Sequence, residues 1–269
     1  MEAETNCSNQ TSAGPEVLVQ GLEKRFDQGQ KEVVAIENID LSIDKDEFVV
    51  ILGPSGCGKS TLLSILAGYE KPTSGQVLIA GEPVQAPGPD HFMVFQSPAL
   101  FPWLTTRQNI TIGLKERGLS PTEIETKSAE LITAVGLVGF ETRYPYLLSG
   151  GMQQRVQLAR ALIHSPRVML MDEPFGALDF QTRSQMQELL LRIWESYKHT
   201  VVFITHDVDE ALLLADRIVL MTRRPGRIST VIDSEFHRPR DLESLPGQPG
   251  YVELRRRIMQ KVREEVIQA

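Results

Sequence analysis

The run Gly53-Pro54-Ser55-Gly56-Cys57-Gly58-Lys59-Ser60-Thr61 constrains this chain more than any other stretch. It follows Phe48–Leu52 (FVVIL), a continuous apolar run of the kind a buried parallel strand needs. It precedes Leu62–Ala67, where a helix is expected. GxxxxGK[ST] between a strand and a helix is a phosphate-binding loop. The glycines let backbone N–H groups turn inward and cradle phosphate oxygens. The helix N-terminus adds about half a positive charge. Lys59 can reach the β and γ phosphates, and Ser60 can ligate magnesium. The plain alternative is a glycine-rich structural turn. Cys57 lies inside the loop, so an alkylating reagent is expected to block nucleotide binding with protection by ATP, while its own role reads as a small loop filler.

Two downstream patterns add chemistry. Val168-Met-Leu-Met-Asp172-Glu173 reads as an apolar strand ending in two carboxylates. The first can hold magnesium, directly or through water, and the second can orient the attacking water. Leu148-Ser149-Gly150-Gly151-Met152 precedes an amphipathic helix and offers a second anion site made of exposed N–H groups. One nucleotide does not need two such sites on one chain, so the second is expected to serve a nucleotide on a neighbouring subunit. By itself, Ser149 would read as an ordinary helix N-cap.

Strand and helix patterns alternate, which argues an α/β fold. Val17–Val19, Glu32–Ile36 and Ile39–Ile43 read as an antiparallel edge group, and Val168–Met171 and Val201–Ile204 as further buried parallel strands. Met186, Leu189, Leu190, Ile193, Trp194 and Tyr197 mark one helix. Ile124, Leu131, Ile132 and Val135, after Ser120-Pro121, mark a second, and Met152, Val156, Ala159 and Ile163 a third. Strand signals vanish between Ser97 and His164, so a helical subdomain (about 97–165) is expected inside the α/β core. Residues 1–15 read as a polar, disordered tail without secretory character. The 28 Lys and Arg against 35 Asp and Glu give a net charge of -7, which disfavours nucleic-acid partners. Two cysteines, Cys7 and Cys57, fit a reducing compartment better than a disulfide framework. No apolar run approaches the roughly 18 residues needed to span a bilayer, so a membrane role is expected to come through a partner.

With these motifs in place, residues 17 to about 232 resemble the nucleotide-binding subunit of an ATP-binding cassette (ABC) transporter. The resemblance rests on Walker A (Gly53–Thr61), Val94-Phe95-Gln96, the signature Leu148–Gln153, Walker B (Val168–Glu173), Ala177-Leu178-Asp179 and Thr205-His206, in family order. It implies a P-loop NTPase fold with a mixed, largely parallel core sheet, an antiparallel β edge subdomain and an inserted helical subdomain. The cassette would span 16–235, and residues 236–269 would form a C-terminal extension. ATP and Mg2+ are the implied cofactors. The resemblance makes Phe26 the aromatic that stacks on adenine. It makes Gln96 a contact to magnesium and the attacking water. Ser149, Gly150 and Gly151 would contact the γ-phosphate of the partner's ATP, and Asp179 would join the two sites across a dimer. His206 would hold the γ-phosphate and keep Glu173 and the water aligned. His206 also follows the apolar run Val201–Ile204, at a strand end where open α/β sheets bind ligands.

A lone cassette resembles the bacterial importer arrangement, with a separate permease and an extracytoplasmic solute-binding protein. The chain would then sit on the cytoplasmic face of the plasma membrane. Phe101-Pro-Trp-Leu-Thr105 and Arg224-Pro-Gly-Arg-Ile228 resemble the nitrate, sulfonate, taurine and bicarbonate group. Ser97–Trp103 would meet the permease. A non-transport ABC ATPase acting on nucleic acid or ribosomes is the alternative. The last helix carries Leu254, Ile258, Val262 and Val266 on one stripe and Arg255, Arg256, Arg257, Lys261 and Arg263 elsewhere. It is expected to close on the core with a solvated charged face, rather than lie on a membrane.

Overall fold

The computed structural model describes residues 14–27, 29 and 32–267, with side chains as far as Glu265. The tail expected over 1–15, with Cys7, lies outside the described residues except for Gly14 and Pro15, as does the side chain of Val266. The chain begins with β1 (Val17–Asp27), β2 (Glu32–Ile43), β3 (Phe48–Leu52) and α1 (Lys59–Leu66). Then come β4 (Ser74–Ile79), β5 (Glu82–Pro83) and β6 (His91–Val94). Three helices follow, α2 (Thr106–Thr111), α3 (Pro121–Ala134) and α4 (Gly150–Ile163). The second half is β7 (Val168–Asp172), α5 (Phe180–Tyr197), β8 (Thr200–Thr205), α6 (Val208–Leu214), β9 (Arg217–Met221), β10 (Ile228–Asp233) and α7 (Tyr251–Ile267).

The strands make two sheets. The core sheet has the order β10-β9-β3-β8-β7-β6, and the second sheet has the order β2-β1-β4-β5. In the core sheet β9, β3, β8, β7 and β6 run parallel, and β10 is antiparallel to β9. The second sheet is antiparallel throughout. Successive strand residues face opposite sides. Phe48, Val50, Leu52, Met169, Met171, Val201 and Phe203 therefore enter one core, shared with α4, α5 and α6. Val49, Ile51, Val168, Leu170, Val202 and Ile204 enter the other, shared with α1 and the antiparallel sheet. Burial on both faces is why these strands read as unbroken apolar runs rather than alternating ones.

One sequence reading changes. Glu32–Ile36 and Ile39–Ile43 are one strand, not two. Asn38 takes a positive φ of 49°, and the pairing slips between Lys24↔Ile36 and Leu22↔Ile39, so the strand bends without ending. Asn tolerates this left-handed backbone better than most residues. The antiparallel group forms a sheet of its own, as the edge subdomain was expected to, and an isolated bridge from Ile36 to Gly226 ties it to the loop between β9 and β10.

Among the described residues, no strand lies between Val94 and Val168. Helix α3 starts with a reciprocal capping box, Ser120 with Glu123, and Pro121 in its first turn. Helix α4 has Ser149 as its N-cap.

The segment after β10 is packed, not loose. Arg240 is buried and donates to the carbonyls of Phe236 (2.9 Å), Ala215 (2.6 Å) and Leu213 (3.3 Å). It thereby satisfies carbonyls at the C-terminal end of α6, which the helix cannot pair itself. Arg238 stacks 4.0 Å from the Trp194 ring and donates to Asp216 at 2.8 Å. Leu254 and Ile258 of α7 are buried in the same core, with Val262 packed against it. Arg240→Ala would strand three buried carbonyls. It should lower stability by about 2–4 kcal/mol in urea denaturation, without changing the slope of the transition.

Candidate functional site

The parallel strands bring the candidate residues to one edge. Register pairs Leu52 with Thr205, Ile204 with Asp172 and Met171 with Val94. Strands β3, β8, β7 and β6 therefore end side by side. The loop Gly53–Gly58 follows β3, Glu173 follows β7, His206 follows β8 and Phe95-Gln96 follows β6. Ligands bind at such carboxyl ends in open α/β sheets.

The glycine loop is shaped by close backbone approach. Gly56 and Gly58 have φ of 75° and 105°. A Cβ on Gly58 would lie 2.8 Å from the Ala35 carbonyl oxygen of β2. Lys59 is buried and donates to the carbonyls of Gly53 (2.8 Å) and Pro54 (3.1 Å), so its ammonium lies over the loop. The Ser60 hydroxyl donates to Asp172 Oδ1 at 3.1 Å. Burial pushes the Asp172 carboxyl up, against the Ser60 hydrogen bond, and neighbouring Glu173 pushes the same way as burial.

Glu173 sits at φ 42°, an uncommon backbone for a residue with a side chain. Its N–H is held by the Ile204 carbonyl at 3.0 Å. Its Oε2 lies 3.2 Å from His206 Nδ1. His206 does not cap α6; the Asp207 carboxylate does, accepting from the N–H groups of Asp209 and Glu210. The imidazole is left exposed beside Glu173. A Cβ on Gly176 would lie 3.4 Å from Gln96 Nε2 and 3.7 Å from Glu173 Oε2, so the Gln96 amide reaches the same corner.

Ser149, Gly150 and Gly151 lie elsewhere. The Ser149 hydroxyl accepts from the Met152 N–H at 3.3 Å. A Cβ on Gly151 would meet Thr182 Cγ2 at 2.5 Å, so α4 starts hard against the first turn of α5. Asp179 caps that turn, accepting from the Thr182 N–H at 3.1 Å, which holds its carboxyl below the usual range. Among the described residues, no hydrogen bond joins Ser149, Gly150 or Gly151 to Gly53–Thr61. Phe26 lies on β1 opposite Val33, with the Lys24 ammonium 4.9 Å from its ring centre.

The sequence reading missed three contributors. Gln154 and Gln157, both buried on α4, donate to the carbonyls of Gln96 (2.8 Å) and Phe95 (3.2 Å). They were legible only as polar residues one helical turn apart on a mostly apolar helix face. Gly226 is the third. Its N–H donates to Ala35 and its carbonyl accepts from Glu37, each at 3.0 Å, and a Cβ there would lie 2.0 Å from the Cys57 carbonyl oxygen. The Arg224–Ile228 run, taken above only as a subgroup mark, thus wedges the phosphate loop against β2. The Cys57 side chain is fully buried within the loop, and burial pushes its thiol up.

A family model described as ABC transporter matches residues 36–176, which span the phosphate loop, the Ser-Gly-Gly helix start and the Asp172-Glu173 strand end. The aliphatic sulfonates import ATP-binding protein of Bacillus cereus is 44% identical over 245 residues, 91% of this chain and 95% of that protein. The chain belongs to the ABC transporter ATP-binding family. The nitrate import ATP-binding protein of Synechococcus elongatus is 46% identical over 235 residues, 86% of each chain. A solved dimeric structure of a post-hydrolysis ATP-binding cassette, bound to ADP and Pi, superposes with a TM-score of 0.72 at 32% identity, over 82% of this chain and 100% of that one. The cassette described above is an ABC ATPase, and ATP is its substrate.

Gly226→Ala would push the added methyl into the Cys57 carbonyl and displace the loop. The expected result is an increase in KM for ATP of about tenfold or more in a steady-state ATPase assay.

Proposed function

We propose that this chain is the ATP-hydrolysing subunit of an importer for a small anion of the nitrate, sulfonate, taurine or bicarbonate kind. Two cassettes would work on separate permease subunits at the cytoplasmic face of the plasma membrane, supplied by an extracytoplasmic solute-binding protein. One observation carries the ATPase half of this reading. Lys59, Ser60, Asp172, Glu173, His206 and Gln96 stand at the carboxyl ends of four adjacent parallel strands, while Ser149–Gly151 stand apart at the start of α4, against the first turn of α5. A half-site that keeps its second anion-binding helix away from its own phosphate loop suits a dimer sharing two ATPs. The similarity to sulfonate and nitrate import proteins supports the transport half.

The roles follow from the chemistry. The N–H groups of Gly53–Gly58 and the Lys59 ammonium would bind the phosphates, and Phe26 would stack on the adenine. Mg2+ suits the hard oxygens of Ser60 and Asp172, whose hydroxyl and carboxylate already lie 3.1 Å apart, and Gln96, at the neighbouring strand end, would complete its contacts. When bound, it would neutralise phosphate charge. Glu173 would take a hydrogen bond, and then the proton, from water attacking the γ-phosphorus. The bond to the β–γ bridging oxygen breaks, leaving ADP and phosphate. His206 would keep Glu173 and the γ-phosphate aligned. Ser149, Gly150 and Gly151 would close on the partner's γ-phosphate, with Asp179 at the seam. ATP binding would favour the closed dimer, and hydrolysis would release it. Ser97–Trp103, with Trp103 exposed, would pass that movement to the permease.

Glu173→Gln should retain ATP binding and lose turnover by about a hundredfold or more. It should also accumulate as an ATP-bound dimer in size-exclusion chromatography. Turnover near the wild-type rate would remove Glu173 from the role of base. Chelation of divalent cations should stop hydrolysis in the unaltered protein. Co-purification with a polytopic permease, and loss of anion uptake when that pair is disrupted, tests the transport half.

A further inference from the structure

The C-terminal helix reaches the catalytic edge through one carboxylate. Asp209 lies in the first turn of α6, three residues after His206. Tyr251, the first residue of α7, donates its hydroxyl to Asp209 Oδ1 at 2.7 Å. Arg255, one turn further along α7, grips both oxygens, Nε to Oδ1 at 2.5 Å and Nη2 to Oδ2 at 2.9 Å. A two-pronged guanidinium contact fixes direction as well as distance. The helix behind the clamp is itself anchored, because Tyr251, Leu254 and Ile258 are buried. Tyr251 also packs on Phe236, with ring centres 5.9 Å apart.

The clamp acts on a short backbone path. The Asp209 N–H donates to Asp207 Oδ1 at 2.8 Å, and the Asp207 N–H donates to Thr205 Oγ1 at 3.0 Å. His206 is the residue between those two. Among the described residues its ring has one side-chain hydrogen bond, to Glu173, and it is otherwise exposed. The place of the imidazole is therefore set by its backbone, and that backbone is tied to α7 through Asp209. A small sideways shift at the start of α6 would lengthen the 3.2 Å approach of Nδ1 to Glu173 Oε2.

We infer that Tyr251 and Arg255 are positioning residues for His206, so that docking of the C-terminal helix sets the ATPase rate. This rests on the reading of His206 as the residue that aligns Glu173 and the γ-phosphate. The other arginines of α7 are not part of the clamp. Arg256, for one, pairs with Glu253 of its own helix and, among the described residues, with no other carboxylate.

The test uses the full-length chain. The double variant Tyr251→Phe/Arg255→Met should lose about tenfold in kcat, with KM for ATP within about twofold. Hydrogen exchange should rise in residues 206–212 and stay unchanged in residues 59–66 of α1. Arg255→Lys with Tyr251 intact should recover part of the rate, because one charged contact to Asp209 remains. Arg256→Gln should match the unaltered protein. A folded double variant with unchanged kcat would overturn the inference, and so would exchange that rises equally in both segments. His206→Ala separates the two possible failures. If it hydrolyses ATP at the normal rate, the reading of His206 has failed. If it is inactive while the double variant is normal, only the clamp has failed.

Discussion

The hydrogen-bonded register of the parallel strands is the constraint on which the site depends. Leu52 stands opposite Thr205, Ile204 opposite Asp172, and Met171 opposite Val94. Neighbouring strands are about 4.8 Å apart, so four strand ends fall within about 15 Å. A slip of β7 by one residue would turn its apolar set to the wrong faces and move Asp172 away from Ser60. The register is secured because the sheet is buried on both sides. Each strand has one set of residues committed to the helical core and the other to the core under the antiparallel sheet. The positions of the Asp172 and Glu173 carboxylates are thus a by-product of hydrophobic burial, which supplies most of the driving force.

The phosphate loop lies where the two sheets meet, and glycine makes that meeting possible. Gly58 approaches the Ala35 carbonyl, and Gly226 approaches the Cys57 carbonyl while bonding to β2 on both sides. Movement of the antiparallel sheet would reach the loop directly through these contacts. On the other flank, α4 does two things at once. Its N-terminus presents Ser149–Gly151, and its buried glutamines grip the backbone of Phe95 and Gln96. A buried polar group without a partner is costly, so those glutamines hold the Gln96 segment and α4 as one piece. The nucleotide side and the signature side are linked by this helix.

Much of this was legible along the chain. The phosphate loop, the Asp172-Glu173 strand end and Thr205-His206 are local patterns, each adjacent to an apolar strand that has to be buried. The starts of α3 and α4 were marked by Ser120-Pro121 and Ser149, and the Ser120 and Ser149 side chains cap their own helices. Strands β4, β5, β6, β9 and β10 were not read. Of these, β4 and β10 are mostly partly exposed or exposed, and β6 is only four residues long. The bend at Asn38 was taken for a break, because turn residues look the same in a bulge as between strands.

The chain's own order determined that it carries a phosphate-binding loop, that carboxylates follow a buried strand, and that a Ser-Gly-Gly run starts a second helix. These are properties of short segments, where spacing and residue type suffice. Tertiary structure decided which of them share a corner. The 3.2 Å contact of Glu173 with His206 and the 3.1 Å contact of Ser60 with Asp172 join residues 33 and 112 positions apart. The first pair follows the parallel neighbours β7 and β8, and the second is brought together across β8, which lies between β3 and β7. Tertiary structure likewise turned the Arg224–Ile228 run into a wedge and the last helix into a clamp on Asp209. Contacts of that kind depend on how two surfaces meet in space, and no local pattern encodes the meeting.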